Sequence, residues 1–179
     1  MGSSAPEPTG RAAFEGLVTE YGDRLYSVAL RITGSPEEAE DATQDAFLAA
    51  YRARDTFAGT AQIGTWLFRI AVNAALQRVR RRHPEDYLEE TGLDRPIVVD
   101  WSDEVQRRVE QHELRRVLEA GIERLPEELR VVLILRDVEQ FSTSEAAQIL
   151  ELSEPALKSR LHRARLMLRQ YLAEYLGEF

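Results

Sequence analysis

The sequence has no cysteine, one lysine, three histidines and no long apolar run. Without cysteine, neither a disulfide framework nor a thiolate metal site can form, and the histidines lie far apart without carboxylates at a recurring metal-ligand spacing. No apolar run approaches the roughly 20 residues that span a bilayer, and the N-terminus lacks the apolar core of a signal peptide. We therefore expect a cytoplasmic protein with no metal, no cofactor and no direct membrane insertion.

The charge of the chain is unevenly distributed. The formal net charge of −8 disfavours nucleic-acid binding when taken alone, because phosphates attract basic surfaces. Residues 69–82 and 155–169 each contain five basic residues and no acid, whereas residues 84–104 contain eight acids and one arginine. Two basic blocks therefore flank an acidic segment. The excess of arginine over lysine suits bidentate contacts, although a GC-rich genome is the simpler explanation.

Apolar residues at i, i+3, i+4 and i+7 spacing predict an all-α protein, because no segment of any length alternates with the period of a strand. Small, capping and proline residues mark where the helices start and stop. The predicted helices are 11–33 before the stop at Gly34, 35–54, 65–82, 103–124, one that starts at Pro126, 142–150, and one from about Ser153.

Two of these helices have predicted packing faces. The second helix carries a close-packing face of small residues with one aromatic side chain: Ala39, Ala42, Ala46, Phe47 and Ala50. The predicted buried stripe of the third helix consists of Trp66, Ile70 and Val79, with Leu67, Ala71 and Ala74 beside them.

The acidic segment divides the chain into two small helical domains. Residues 1–10 are rich in small residues and proline and read as a loose tail. Residues 84–103 have no usable hydrophobic period and form the predicted acidic linker. We therefore predict helical domains at residues 11–83 and 104–179.

The C-terminal helix pair has the proportions of a helix-turn-helix. Ala147 stands where the two helices must cross, Leu157 faces inward, and Glu151 stands in the turn where glycine is usual. Ser153 can cap the second helix. One side of that helix is apolar and the opposite side is basic. A solvated charged surface is the alternative explanation, but the stretch lacks the acids that normally interleave on such a surface.

The third helix ends in an arginine cluster, which the helix dipole alone would favour. The loop before it, residues 55–64, and the aromatic residues Trp66 and Phe68 allow a second interpretation. Together with the arginines they could hold single-stranded nucleic acid; a place in the core is the alternative for Trp66. Asn73 lies in mid-helix, where asparagine is disfavoured, so we expect its amide to have a specific partner.

Four segments together resemble the extracytoplasmic-function sigma factors, the small two-domain group of bacterial RNA polymerase specificity subunits. The resemblance extends from about Arg11 to Leu172, with both modules in order. The segments that carry it are "DRLYSVALRITGSPEEAEDATQDAFLAAYRARDTF", "GTWLFRIAVNAALQRVRRR", "LPEELRVVLILRDVEQFSTSEAAQIL" and "LSEPALKSRLHRAR".

The resemblance implies three binding surfaces, one for core RNA polymerase and two for elements of promoter DNA. It also implies an anti-sigma factor as a further partner. The residues implied for core polymerase are Asp41, Gln44, Asp45 and Phe47. Those implied for the minus-ten element, including a loop that captures a flipped-out base, are Thr60, Ala61, Gln62, Trp66, Arg69, Asn73, Arg78, Arg80 and Arg81. Those implied for the minus-thirty-five element are Lys158, Ser159, His162 and Arg163, with Arg160 and Arg165 as phosphate contacts.

The chain departs from the family pattern at several positions. Pro155-Ala156 replaces Gly-Thr at the start of the recognition helix, and Glu151 replaces a glycine before it. Gln140-Phe141-Ser142 replaces Gly-Leu-Ser, and Gln77 replaces an acidic residue four positions after Asn73.

The leading hypothesis is a transcription initiation factor that binds core polymerase, recognises a promoter and helps to open the strands. A second is a one-component regulator that dimerises on a palindromic site. A third is a helical adaptor without a nucleic-acid role. An enzyme is not expected, since no nucleophile–base pair, phosphate loop or metal spacing is visible.

Overall fold

The computed structural model describes residues 11–54, 62–82 and 111–176, and every regular element in these ranges is helical, as predicted. The predicted tail and linker lie outside the described residues. None of the described helices is both long and apolar enough to cross a membrane. In chain order the elements are α1 Arg11–Thr33, α2 Pro36–Ala53, α3 Ile63–Arg82, α4 Gln111–Glu123, α5 Glu127–Leu133, a π-helical segment Ile134–Val138, α6 Thr143–Leu150 and α7 Glu154–Leu176.

Helices α1, α2 and α3 pack against one another as a bundle. The predicted small-residue face of α2 is confirmed, since its four alanines are at most 2% exposed. Alanine side chains are short, so neighbouring helices approach α2 closely along this face. The close approach leaves the opposite, polar face of α2 exposed to solvent.

The corner between α1 and α2 follows the predicted signals. Gly34 adopts a φ of 69°, which glycine tolerates without steric cost. Ser35 caps α2, because its side chain accepts a hydrogen bond from the Glu38 backbone N–H at 3.4 Å, and Pro36 occupies the first turn. The Glu38 carboxylate binds Arg82 of α3 at 3.1 Å. This pair ties the start of α2 to the end of α3.

The predicted buried stripe of α3 is partly wrong. Helix α3 starts at Ile63, two residues before the predicted Thr65, and Trp66, Ile70 and Ala74 are only half-buried. The physical reason is that α3 packs against α1 and α2 on one side and against α6 on the other, which widens and rotates its buried band. The buried residues of α3 are Ile63, Thr65, Leu67, Phe68, Ala71, Val72, Ala75, Leu76 and Val79.

Helices α4 to α7 form the second module, in which α7 packs against α4, α5 and α6. Gly121 permits the approach of α4 to α7, because a Cβ there would lie 2.6 Å from the Tyr171 ring. Only the part of the predicted 103–124 helix that lies in α4 is within the described residues. Its buried side chains, Val117 and Ile122, face the module's core.

The apolar run after Pro126 does not form one uniform α-helix. Helix α5 widens into the π-helical segment, where the Glu139 N–H donates to the Ile134 carbonyl at 2.9 Å. Gln140 then turns the chain with a φ of 61°. Such a widened turn rotates the residues that follow it, and here Asp137, Glu139 and Phe141 all make contacts with other helices.

Candidate nucleic-acid interface

Helices α6 and α7 form the predicted helix-turn-helix. The Ser142 side chain accepts a hydrogen bond from the Glu145 N–H at 3.2 Å, and the Glu145 carboxylate accepts one from the Ser142 N–H at 2.8 Å. Hydrogen bonds from the Ser142 side chain and then its backbone lower the pKa of Glu145. This reciprocal pair satisfies two backbone donors that the helix start would otherwise leave open.

The turn between α6 and α7 keeps its geometry without glycine. Glu151 adopts the left-handed conformation, with φ 54° and ψ 39°, and Leu152 donates its N–H to the Ala147 carbonyl at 3.0 Å. Ser153 then accepts a hydrogen bond from the Ala156 N–H at 3.3 Å, as the predicted cap of α7. The left-handed conformation strains a residue that has a side chain. The turn is therefore formed at a cost that glycine would avoid.

Helix α7 has one buried face and one exposed face. Leu157, Leu161 and Ala164 are at most 7% exposed and fix the helix against the module's core. The side chains of the exposed face are those predicted for duplex reading: Lys158, Ser159, His162, Arg163 and Arg165, with Arg160 half-buried at its edge.

Acidic residues outside the basic stretch pair with half of these side chains. Arg165 donates two hydrogen bonds to the Asp137 carboxylate, at 2.6 and 2.9 Å, and this contact raises the pKa of Arg165. Arg160 lies 3.4 Å from Glu128. Residues 155–169 contain no acid, but Arg160 and Arg165 therefore still find carboxylate partners in other parts of the chain.

Lys158 pairs weakly, at 3.9 Å, with Glu154 one turn earlier in α7. In the part of the chain that the structure describes, Ser159, His162 and Arg163 make no side-chain hydrogen bond or ion pair. The exposed face is thus divided into side chains held by carboxylates and side chains that point freely to solvent.

The predicted minus-ten residues lie along α3 and at its start. Arg69, Asn73 and Arg81 are exposed, and so is Gln62, whose carbonyl accepts the Trp66 N–H at 3.1 Å. Within the described ranges the Asn73 amide has no hydrogen-bond partner, so the expectation of a specific partner stays a prediction. Thr60 and Ala61 lie outside the described residues.

Arg78 connects the predicted minus-ten residues with the predicted polymerase residues. Its Nη2 lies 2.7 Å from Asp45 and 3.7 Å from Asp41, and its Nε donates to the Glu38 carbonyl at 3.3 Å. Arg80 instead reaches Glu127 of the second module at 3.3 Å. The carboxylates expected to bind a partner protein therefore already hold an arginine expected to bind DNA.

The predicted polymerase surface is the polar side of α2. Asp41, Gln44 and Asp45 are exposed there, whereas the Phe47 ring packs edge-on against Phe14, with centroids 6.2 Å apart. Sequence reasoning missed Leu48, which is 53% exposed one turn after Gln44. A single exposed leucine is ordinary on a protein surface, and Leu48 becomes a candidate here because it lies within one helical turn of the predicted polymerase residues Gln44 and Asp45. The signal available in the sequence was the position of Leu48, which falls outside the helical spacing of the buried alanines of α2.

An apolar groove of about 400 Å³ lies in the second module between α4, the π-helical segment and α7. The Asp137–Arg165 pair stands at its edge. The apolar residues that line the groove are Leu118, Ile122, Leu133, Val138, Leu168 and Leu172.

A capped helix-turn-helix with a basic exposed face, packed beside a second helical module, defines a DNA-binding protein of the helix-turn-helix class. Each of the two modules also matches a known protein family. The Sigma-70 region 2 family model matches residues 17–85, and the Sigma-70 region 4 family model matches residues 115–168.

Similar proteins align over most of the chain, including both modules. The ECF RNA polymerase sigma factor SigW of Bacillus subtilis is 32% identical and aligns over 90% of this chain and 90% of its own length. The ECF RNA polymerase sigma factor SigE of Mycolicibacterium smegmatis is 34% identical over 96% of this chain and 71% of its own length. The solved structure of CnrH with the cytosolic domain of CnrY is similar at a TM-score of 0.68 and 27% identity, covering 94% of this chain and 92% of that one.

The chain therefore belongs to the ECF RNA polymerase sigma factors, which are transcription initiation factors of the sigma-70 type. It binds RNA polymerase core and directs promoter-specific initiation.

Proposed function

We propose that initiation divides between two domains, residues 11–83 for polymerase binding and promoter opening and residues 104–179 for duplex reading. The observation that carries this proposal is that α7 has one buried apolar face and one exposed basic face. Ser159 and Arg163 are exposed above a buried apolar seam, as a helix that enters a major groove requires.

In the second domain, three exposed and unpaired side chains read bases: Ser159, His162 and Arg163. Arginine suits this role because its guanidinium can donate two parallel hydrogen bonds to guanine. Lys158 faces the minus-thirty-five element with them once it leaves Glu154. Arg160 and Arg165 contact phosphates, and each does so by exchanging its carboxylate partner for a phosphate oxygen.

In the first domain, the exposed side of α3 holds the separated strand of the minus-ten element. Arg69 and Arg81 bind phosphates, and the Asn73 amide binds a base edge. Thr60, Ala61, Gln62 and Trp66 form the capture site for a flipped-out base. Arg78 and Arg80 join the strand contacts only after they leave Asp45 and Glu127.

The polar side of α2 binds the polymerase core. Asp41, Gln44 and Asp45 supply charge and hydrogen bonds, and Leu48 supplies the apolar contact in their midst. Phe47 supports this surface from below through its packing on Phe14.

The chain makes and breaks no covalent bond in this role, and it acts in the cytoplasm, where promoter DNA is found. An anti-sigma factor regulates it. Support for a protein partner comes from CnrH, which was solved in complex with the cytosolic domain of CnrY, and from the sigma factor RpoE of Bartonella quintana, which was solved in complex with the anti-sigma factor NepR.

Transcription in vitro with purified core polymerase tests the assignment of surfaces. We expect initiation at a defined promoter only when this chain is added. Arg163→Ala should reduce promoter-specific initiation much more than core binding, whereas Asp45→Arg should reduce core binding first. Equal losses of both activities in both variants would show that the surfaces are wrongly assigned. Tight binding of duplex as a dimer without polymerase would instead favour the one-component regulator.

A further inference from the structure

Arg78 of α3 is held by three acceptors of α2. Its Nη2 lies 2.7 Å from a carboxylate oxygen of Asp45 and 3.7 Å from one of Asp41. Its Nε donates a hydrogen bond to the Glu38 carbonyl at 3.3 Å. We call Asp41 and Asp45 the α2 carboxylates. Both belong to the surface proposed to bind polymerase, whereas Arg78 is proposed to bind DNA.

The α2 carboxylates repel each other. Asp41 and Asp45 are four positions apart in one helix, so they are neighbours on its surface, and like charges at this spacing destabilise a helix. Arg78 offsets the repulsion because its guanidinium contacts both carboxylates. A cation supplied by a partner protein at the same carboxylates would offset it equally, and Arg78 would no longer be needed there.

The members of this cluster differ in their access to solvent. The side chains of Asp41 and Asp45 are 61% and 58% exposed, whereas that of Arg78 is only 18% exposed. A partner protein can therefore reach the α2 carboxylates directly. A DNA phosphate, in contrast, can reach little of the guanidinium while α2 holds it.

Arg78 lies at the edge of the exposed side of α3 that is proposed to hold the separated strand. Arg81 is exposed and stands three positions further along, so it is a neighbour of Arg78 on the helix surface. Arg69 and Asn73 continue the exposed side toward the start of α3. A guanidinium released from α2 can thus turn toward solvent beside Arg81, where its charge adds to the attraction for phosphates.

The neighbouring Arg82 is held in a different way. It pairs with the Glu38 carboxylate at 3.1 Å and donates a hydrogen bond to the Thr33 carbonyl at 2.9 Å, at the end of α1. Glu38 is not among the residues proposed to bind polymerase. A partner on the α2 carboxylates would therefore leave Arg82 in place, so that the end of α3 stays attached while Arg78 moves.

We propose that core polymerase places basic side chains on the α2 carboxylates and thereby releases Arg78 to bind the separated strand of the minus-ten element. Polymerase binding and single-strand binding are then coupled through one side chain, and the coupling is reciprocal. This proposal rests on the proposed function of α2 and α3. One part of it does not: the α2 carboxylates hold Arg78 away from DNA in the free chain, whatever displaces it.

Single-strand binding by the free chain tests that part. The probe is a fluorescent single-stranded DNA of about 12 nucleotides with randomised sequence, because a phosphate contact does not depend on the base. The double variant Asp41→Asn with Asp45→Asn should bind it about fivefold more tightly than wild type, which is the upper limit for an exposed ion pair.

The matched control removes the same number of charges from the same helix. Glu37 and Glu40 are exposed residues of α2 that make no contact with Arg78 in the described part of the chain. Glu37→Gln with Glu40→Gln should tighten binding by less than about twofold, through net charge alone. Equal gains in the two double variants would overturn the proposal.

Removal of Arg78 tests the role of polymerase. In the wild-type free chain Arg78→Ala should weaken binding of the probe by less than about twofold, because the guanidinium is already engaged. In the complex with core polymerase it should weaken binding of a selected promoter with mismatched minus-ten strands about fivefold. Arg116→Ala removes an exposed cation of α4 and should have the same small effect in both samples.

One further comparison completes the test. Arg78→Ala in the background of Asp41→Asn with Asp45→Asn should weaken probe binding by the free chain about fivefold, since no carboxylate holds the guanidinium there. Variants are compared only where their helix content matches the wild type. A loss of the same size for Arg78→Ala in the wild-type free chain and in the polymerase complex would overturn the proposal, because Arg78 would then be available without polymerase.

These measurements separate the proposal from the proposed function. Normal polymerase-dependent initiation together with equal losses for Arg78→Ala in both samples would remove the coupling and leave the function standing. A gain of single-strand binding in the aspartate variants without any polymerase-dependent initiation would remove the function and leave Arg78 held by the α2 carboxylates.

Discussion

Removal of the Asp137 carboxylate should strengthen promoter binding, although Asp137 itself is not placed at the DNA. In the free chain this carboxylate accepts both hydrogen bonds from Arg165, at 2.6 and 2.9 Å. A guanidinium engaged in this way cannot bind a phosphate with the same donors. Arg165 must therefore leave Asp137 when DNA binds, and Asp137→Ala removes the cost of leaving.

The size of the effect follows from the exposure of the pair. The Arg165 side chain is 53% exposed and that of Asp137 is 32% exposed, so solvent screens their attraction. Exposed ion pairs contribute about 0.2–1 kcal/mol, and two-pronged geometry places this one near the upper limit. Since about 1.36 kcal/mol corresponds to a factor of ten, a cost of about 1 kcal/mol predicts promoter binding about fivefold tighter in Asp137→Ala.

The assay is equilibrium binding of holoenzyme to a promoter selected from a library with a randomised minus-thirty-five element, at fixed salt. Wild type, Asp137→Ala, Arg165→Ala and the double variant form a cycle. We expect Arg165→Ala to weaken binding more when Asp137 is absent than when it is present. Asp23→Ala removes an exposed acid of α1 and serves as the control for net charge.

One result would refute the reasoning. If Asp137→Ala binds promoter no more tightly than wild type, while Arg165→Ala in the wild-type background loses tenfold, Arg165 does not exchange partners. The pair would then be a fixed support for α7.

Three further predictions follow from exposure, capping and backbone strain. Leu48→Ser should weaken core binding several-fold in a competition assay, yet change stability by less than about 0.5 kcal/mol, because its side chain is 53% exposed. Glu145→Gln should make stability less dependent on acid pH in denaturant titrations. Because the folded-state pKa of Glu145 lies below its ordinary value of 4.5, its contribution is present above that value and is lost as the pH falls through the folded-state pKa. Glu151→Gly should raise the free energy of unfolding by about 1 kcal/mol, because φ of 54° disfavours a side chain.

Each of these predictions has a control in the chain. Val18→Ser changes an exposed apolar residue of α1 and should leave core binding intact. An equal loss of core binding in both variants would show that the effect of Leu48→Ser is not specific to the surface of α2. Glu119→Gln, in an exposed helix pair, should keep the acid dependence of the wild type, and a matching change in both variants would contradict the role of the α6 cap. Gln148→Gly lies within α6 and should lower stability by about 1 kcal/mol, so stabilisation by both glycines would refute the strain argument.

Local signals in the sequence predicted the helix ends well. The Ser142–Glu145 pair and the Ser153 cap each join residues three positions apart, so both partners of each hydrogen bond are visible in one short stretch of sequence. The alanine face of α2 was also predictable, since small residues at helical spacing bury against whatever neighbour the fold supplies.

Contacts between distant segments could not be predicted in this way. Phe68 packs under the Phe141 ring, which follows much later in the chain just before α6. The contact of α3 with α6 moved the buried band of α3 away from Trp66. Asp137 and Arg165 are 28 positions apart, so a search for acids within the basic stretch missed the pair. The π-helical segment was hidden for another reason: a continuous apolar run has the same pattern whether its hydrogen bonds span four residues or five.

Several arginines assigned to DNA already have a carboxylate partner within the chain, and this changes how binding should respond to salt. Cations that leave DNA when a protein neutralises its phosphates normally drive association and make it strongly dependent on ionic strength. When an arginine leaves a carboxylate, that carboxylate can attract a cation from solution, which offsets part of the release. The chain should therefore hold random DNA less tightly, and its promoter binding should depend less steeply on salt, than its number of arginines alone predicts. The excess of acid thus favours promoter DNA over random DNA, because a surface that gains little binding free energy from phosphates depends on its contacts with the bases. The internal pairs are Arg78–Asp45, Arg80–Glu127, Arg160–Glu128 and Arg165–Asp137.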